Sequence, residues 1–127
     1  MTQFLEVAED LEHAGLLWKP EIGDEVSARA SRGLISILVD PKGMSPKELR
    51  SSYIWLPTVE QMVFQLEARQ AILFHAGLEM TSSSICYKTI IQSQKGPIES
   101  HAVSLRSSVG IALRKLLTAE IAPIEVN

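Results

Sequence analysis

The sequence predicts an α+β fold with a mainly antiparallel sheet and helices packed on one face of it. The main observation is the pattern between Thr58 and Leu117, where apolar residues change from helical spacing to strand alternation and back again. This pattern gives the order helix, strand, strand, strand, helix. The second observation is the length of 127 residues, which suits a single hydrophobic core.

We therefore expect one domain over residues 1–127. Its N-terminal helix and strands occupy residues 1–52, the α-β-β-β-α unit occupies 53–118, and a loosely docked tail occupies 119–127. The strands of both halves are expected to share one curved sheet, with the last two helices together on one of its faces. Exposed strand edges in so small a sheet invite pairing with a second copy, so the expected assembly is a homodimer.

The N-terminal half begins with an amphipathic helix. Phe4, Val7, Ala8 and Leu11 recur at helical spacing, and Gly15 follows as a C-terminal stop. Short strands are expected next, because apolar segments alternate with turn-forming residues. The expected strands are Leu16–Trp18, Val26–Ala28 and Leu34–Val39. The last is the most apolar, which predicts a central strand covered on both faces.

Two capping boxes mark the starts of further helices. Ser45 with Glu48 predicts a short helix that begins at Pro46, and Thr58 with Gln61 predicts a helix that continues to about Arg69. Between them, Tyr53, Ile54 and Trp55 favour extended structure, so a short strand is expected there.

Three strands and a last helix complete the chain. The strands are expected at Ala71–Leu78, Ser84–Gln92 and Ile98–Val103 as an antiparallel meander. Ser104 caps the helix that follows, and Gly110 within that helix predicts a close approach to a strand.

Alternation divides the meander into an apolar face and a polar face. The apolar face is expected to be buried under the helices, and it comprises Ile72, Phe74, Ile85, Tyr87, Ile91, Ile98 and Ala102. The polar face comprises His75, Cys86, Lys88, Glu99 and His101. Its Cys and His side chains would suit a zinc ion or a thiol–imidazole pair if the strand register brought them together. The sequence favours the alternative of a solvated sheet face, because these residues lack the close spacing that metal and thiol sites usually have.

Composition and charge argue against several classes of function. The chain is 46% hydrophobic and 21% charged, which is typical of an ordinary globular protein, and its longest apolar runs are far shorter than a membrane helix. Its single cysteine, Cys86, fits a reducing compartment, and we expect a cytoplasmic protein. A net charge of −3 argues against nucleic-acid binding through overall charge.

The order helix, three antiparallel strands, helix resembles the double-stranded RNA-binding domain family over Thr58–Leu117, about half of the chain. The resemblance is one of topology, and it implies phosphate contacts from the second helix. In this sequence that helix carries Arg106 near its start and Arg114 and Lys115 near its end. Weak nucleic-acid binding through these residues and Lys88 is therefore an alternative function, although it is not the favoured one.

The leading hypothesis is a non-enzymatic interaction or regulatory module that binds a protein partner or a second copy of itself. It rests on a well-specified fold in which no nucleophile, base, metal-ligand or phosphate-loop motif is recognisable, so no catalytic residue, metal or cofactor is predicted. A Cys and His enzyme is the third hypothesis, and enzymatic activity is left open. No membrane association is expected.

Overall fold

The computed structural model describes residues 3–121. The helices are α1 (Gln3–His13), α2 (Pro46–Ser52), α3 (Val59–Ala68) and α4 (Leu105–Ile121). The strands are β1 (Glu25–Ala28), β2 (Ile35–Ile37), β3 (Tyr53–Trp55), β4 (Ile72–Met80), β5 (Ile85–Ser93) and β6 (Gly96–Ala102). The fold class is confirmed, since the C-terminal half runs α3-β4-β5-β6-α4. The expected loose tail falls mostly on residues 122–127, outside the described part.

Local sequence explains where the middle helices begin. The Ser45 hydroxyl accepts the Glu48 backbone N–H at 3.2 Å, and the Glu48 carboxylate accepts the Ser45 N–H at 3.1 Å. Thr58 and Gln61 make the same reciprocal pair at the start of α3. Each pair satisfies two backbone donors that a helix leaves free at its N-terminus, so both capping boxes are confirmed.

The strands form two three-stranded antiparallel sheets rather than one. The N-terminal sheet has the order β2-β1-β3, and the C-terminal sheet has the order β4-β5-β6. The prediction for Leu34–Val39 is wrong, because its strand is the edge strand β2, in which Ile35 is 45% and Ile37 is 50% exposed. Its β-branched composition favours a strand but does not distinguish a central from an edge position.

The segment Leu16–Trp18 is not a strand. Leu16 and Trp18 are both buried in irregular structure, and the indole Nε1 of Trp18 donates a 2.8 Å hydrogen bond to the Asp24 carboxylate. The same carboxylate accepts the Glu21 backbone N–H at 2.9 Å. The Asp24 carboxylate thus satisfies the buried indole N–H of Trp18 and holds the turn that follows it.

The inner face of the C-terminal sheet packs against α3 and α4. Ile91 is fully buried there, and Leu73, Ala76 and Ile98 pack around the same core, which also includes residues of α1. Thr89 and Ser108, both fully buried, join β5 to α4 through a 2.7 Å hydroxyl–hydroxyl hydrogen bond.

The predicted inner face is wrong at the start of β4. The register with β5 shifts between Leu73 and His75, which leaves Phe74 without a direct partner. Because of this bulge, Leu73 rather than Ile72 or Phe74 packs on the core, and Ile72 pairs with Gln92 on the opposite face. A bulge reverses which residues face inward, and strict alternation cannot predict it.

Gly110 of α4 does mark a close approach, but the neighbour is α1 and not a strand. A Cβ added at Gly110 would lie 2.6 Å from Val7 Cγ1 and 3.4 Å from the Phe4 ring. The two helices therefore pack too closely at this point for any side chain on residue 110. This contact attaches α1 to the C-terminal half of the molecule.

Candidate interaction site on the C-terminal sheet

The outer face of the C-terminal sheet, opposite the helices, carries a cluster of charged side chains. Lys88 lies on the central strand, with Glu79 on one side and Glu99 on the other. Its Nζ is 2.9 Å from Glu99 Oε1 and 3.3 Å from Glu79 Oε2. His101 Nε2 lies 3.7 Å from the Glu99 carboxylate and 3.9 Å from that of Glu79. Lys88, Glu99 and His101 were predicted to share one face, whereas Glu79 was not among the predicted residues.

The charges of this cluster stabilise one another. The hydrogen bond that Lys88 donates to Glu99, with a second that it donates to Glu79, raises the pKa of the Lys88 ammonium above its usual value. The hydrogen bond from Lys88 lowers the pKa of the Glu99 carboxyl. Both groups are therefore held in their charged forms at neutral pH. An arrangement of this kind organises the surface of the sheet and leaves no free base or nucleophile among these two side chains.

The two other members of the predicted polar face lie apart along the sheet. His75 pairs with Ile90, whereas Cys86 pairs with Glu79, so the two side chains are four residues apart along β5. At about 3.3 Å per residue this is roughly 13 Å, beyond direct hydrogen-bond distance. Within residues 3–121, no three His, Cys, Asp or Glu side chains are placed to share a metal ion.

The predicted basic contacts take part in interactions within the chain. Arg106 donates to the backbone oxygens of Leu56 and Pro57 at 2.6 and 2.8 Å and to the Glu25 carboxylate at 2.8 Å. Its guanidinium carbon also lies 4.2 Å from the centre of the Phe4 ring. Arg106 thus fastens the start of α4 to α1, β1 and the segment before α3.

The other two basic residues lie farther along α4. Lys115 Nζ donates to the Glu99 backbone oxygen at 2.8 Å, and Arg114 has a buried Nε without a hydrogen-bond partner among the described residues. The structure does not bring Arg106, Arg114 and Lys115 together as one free basic patch. Nucleic-acid binding stays a prediction.

Trp55 lines a groove of about 590 Å³ between Leu17 and α3. Its ring stacks on that of Trp18, with the ring centroids 6.5 Å apart. Asp24 also lines the groove, but its carboxylate already accepts bonds from Trp18, Glu21 and the Gln61 side chain. Both oxygens of the Asp24 carboxylate therefore already accept hydrogen bonds from within the chain, and the rest of the groove lining mixes apolar with charged side chains.

The free edge of β4 is the most unusual surface of the described residues, and the expectation of exposed strand edges did not identify it. β4 is nine residues long and pairs only with β5 within the described chain. Four of its large apolar side chains are exposed to solvent, namely Ile72 (66%), Phe74 (68%), Leu78 (55%) and Met80 (71%). The available clue was the run Ile72-Leu73-Phe74, because one face of a strand cannot bury three successive apolar residues.

The remaining sheet edges differ from β4. The edge strands β2 and β3 have only three residues each. β6 carries Pro97 together with Glu99 and His101. Short length, proline and charge are the features by which proteins prevent edge-to-edge association. β4 carries His75, Glu79 and the bulge at Phe74, but it is long, has neither proline nor lysine, and exposes four large apolar side chains, so it is the edge least protected against another strand.

Comparison with protein-family models, with curated proteins and with solved structures gave no match for this chain. Across residues 3–121, no helix has both the length and the apolar character needed to cross a membrane. The geometry of the C-terminal sheet is thus the basis for a functional conclusion.

Proposed function

We propose that this protein is a non-enzymatic interaction module that binds a further polypeptide strand along the free edge of β4. A homodimer, in which a second copy of the chain provides that strand, is the proposed assembly. The observation that carries the proposal is the nine-residue apolar edge strand with four exposed large side chains. The backbone N–H and C=O groups of such an edge form hydrogen bonds with an added strand.

The apolar side chains of β4 support the same proposal. Leu78 and Met80 lie opposite Tyr87 and Ile85 on the inner face, beyond the part that the helices cover. An added strand would remove part of this apolar surface from water, at a gain of roughly 25 cal/mol for each Å² buried. Backbone bonding and apolar burial therefore favour the same partner geometry.

The compartment proposed for this interaction is the cytoplasm. Cys86 is a free, partly exposed thiol on the outer face of the sheet. A free thiol at this position suits a reducing environment. No step of the proposed interaction uses Cys86.

The proposal is tested with the variant Leu78→Lys. Leu78 is exposed on the inner face of the edge strand, where an inward-pointing charge opposes strand addition. We expect the wild-type chain to dimerise as its concentration rises and Leu78→Lys to stay monomeric, with molar mass measured by light scattering. Circular dichroism establishes that the variant is folded.

The matched control is Ile37→Lys, which places the same charge on an exposed apolar residue of the other sheet. This variant should dimerise like the wild type. A wild-type chain that is monomeric at all concentrations would overturn the proposal. Equal dimerisation of Leu78→Lys and the wild type would overturn it as well, because the interface would then lie elsewhere.

A further inference from the structure

We infer that the second copy binds β4 in one specific register, antiparallel and centred on Gly77. The inference rests on the proposed function and adds the alignment of the two strands. A two-fold axis perpendicular to the sheet pairs each residue of one copy with the residue equally far from the centre in the other. The central residue therefore determines every cross-strand pair.

The part of β4 that pairs regularly with β5 limits which residue can lie on the two-fold axis. After the bulge, residues His75 to Met80 pair one for one with β5 without a further shift. A centre at Gly77 uses this regular stretch and keeps the outer faces of both copies on the same side of the joined sheet. It places His75 opposite the partner's Glu79, Ala76 opposite the partner's Leu78, and Gly77 opposite the partner's Gly77.

The pair of His75 and Glu79 is chemically complementary. An imidazole N–H donates to a carboxylate, and a protonated imidazole adds a charge attraction. The Glu79 carboxylate has room for this bond, because its contacts with Lys88 at 3.3 Å and His101 at 3.9 Å are long. Because the interface is symmetric, the complementary pair occurs twice in each dimer.

Gly77 suits the position on the axis. The His75 imidazole lies beside Gly77, with its Cε1 atom 3.5 Å from the place where a Cβ at residue 77 would be. The missing side chain leaves the centre of the outer face open. Two imidazoles, one from each copy, can then lie on either side of the axis next to the carboxylates that they contact.

Neighbouring registers lack this complementarity. A centre at Ala76 places His75 opposite the partner's Gly77 and Glu79 opposite the partner's Leu73, an apolar residue that packs on the core. A centre at Leu78 places Glu79 opposite the partner's Gly77 and His75 beyond the strand, opposite the partner's Thr81. Only the Gly77 register among these three pairs imidazole with carboxylate.

The register is tested by reversing charge at a single exposed position. His75→Lys places an ammonium opposite the partner's Glu79, and His75→Glu places two carboxylates opposite each other. Sedimentation equilibrium at pH 7 should show a dissociation constant that falls for His75→Lys and rises for His75→Glu. With two pairs per dimer, each change is expected to be roughly two- to thirtyfold. Gln92→Lys and Gln92→Glu, on the same face of β5, are the controls for net charge.

A mixing experiment then identifies the paired residues. His75→Glu and Glu79→Lys should each dimerise weakly alone, but an equimolar mixture should form a heterodimer. In that heterodimer one Glu–Lys pair faces one native His–Glu pair. Failure of the mixture to associate, while Leu78→Lys still abolishes the wild-type dimer, would overturn the register and leave the proposed function standing. The register would also be overturned if the His75 variants changed the dissociation constant only as much as the Gln92 control variants do.

Discussion

At the scale of single residues, Gly110 shows how one missing side chain fixes the packing of two helices. The structure requires glycine because α1 approaches the backbone of α4 there, and not because the backbone has a positive φ. A Cβ would be 2.6 Å from Val7 Cγ1, and Val7 is buried and has little freedom to move.

We expect Gly110→Ala to lower the free energy of unfolding. Overpacking costs about 1–3 kcal/mol, which outweighs the roughly 1 kcal/mol that alanine gains over glycine within a helix. Urea unfolding followed by tryptophan fluorescence measures the change. In a Val7→Ala background the clash is absent, so Gly110→Ala should then be neutral or stabilising. An equal cost in both backgrounds would show that the contact with Val7 is not the reason for the glycine.

At the scale of secondary-structure elements, the three strands of the C-terminal sheet are joined on their outer face by Lys88 and its two carboxylates. The Lys88 hydrogen bond lowers the pKa of the Glu99 carboxyl. A lowered pKa in the folded state means that the unfolded chain binds protons more readily than the folded chain. The stabilising contribution of Glu99 is therefore complete above its ordinary pKa and is lost as the pH falls through the lowered pKa.

The difference in the free energy of unfolding between the wild type and Glu99→Gln should therefore depend on pH. The wild type should be the more stable protein at pH 7, and the difference should shrink as acid protonates the wild-type Glu99. Urea unfolding curves recorded for both proteins between pH 7 and pH 3 measure it. A difference of constant size over that range would mean that the stabilisation does not come from the charge of Glu99.

The helices and strands also show which features of the fold local sequence patterns can predict. Both capping boxes and all three strands of the meander were predictable, because caps and alternation act over a few residues. The residues that face the core at the start of β4 could not be predicted, because the bulge at Phe74 depends on the pairing of β4 with β5. The position of β2 at a sheet edge was not predictable either, because strand order is a property of the complete fold.

At the scale of the whole molecule, helices cover one face of the C-terminal sheet and a charge cluster occupies part of the other, while no strand of residues 3–121 pairs with the outer edge of β4. Alternation predicted that His75, Cys86, Lys88, Glu99 and His101 share the polar face, but Glu79 was not among the predicted residues. The exposed apolar edge of β4 could not be predicted, because exposure of Leu78 and Met80 depends on where the helices end beneath the sheet.

Strand addition at β4 is tested most directly by the concentration dependence of amide hydrogen exchange in that strand. The outward-pointing amides of residues 74–80 should exchange more slowly above the dissociation constant of the dimer than below it, because the second copy accepts their hydrogen bonds. Amides of β2 and β6 should exchange at the same rate in both conditions. Unchanged exchange in β4 while the molar mass doubles from the 14.0 kDa of one chain would contradict strand addition at this edge.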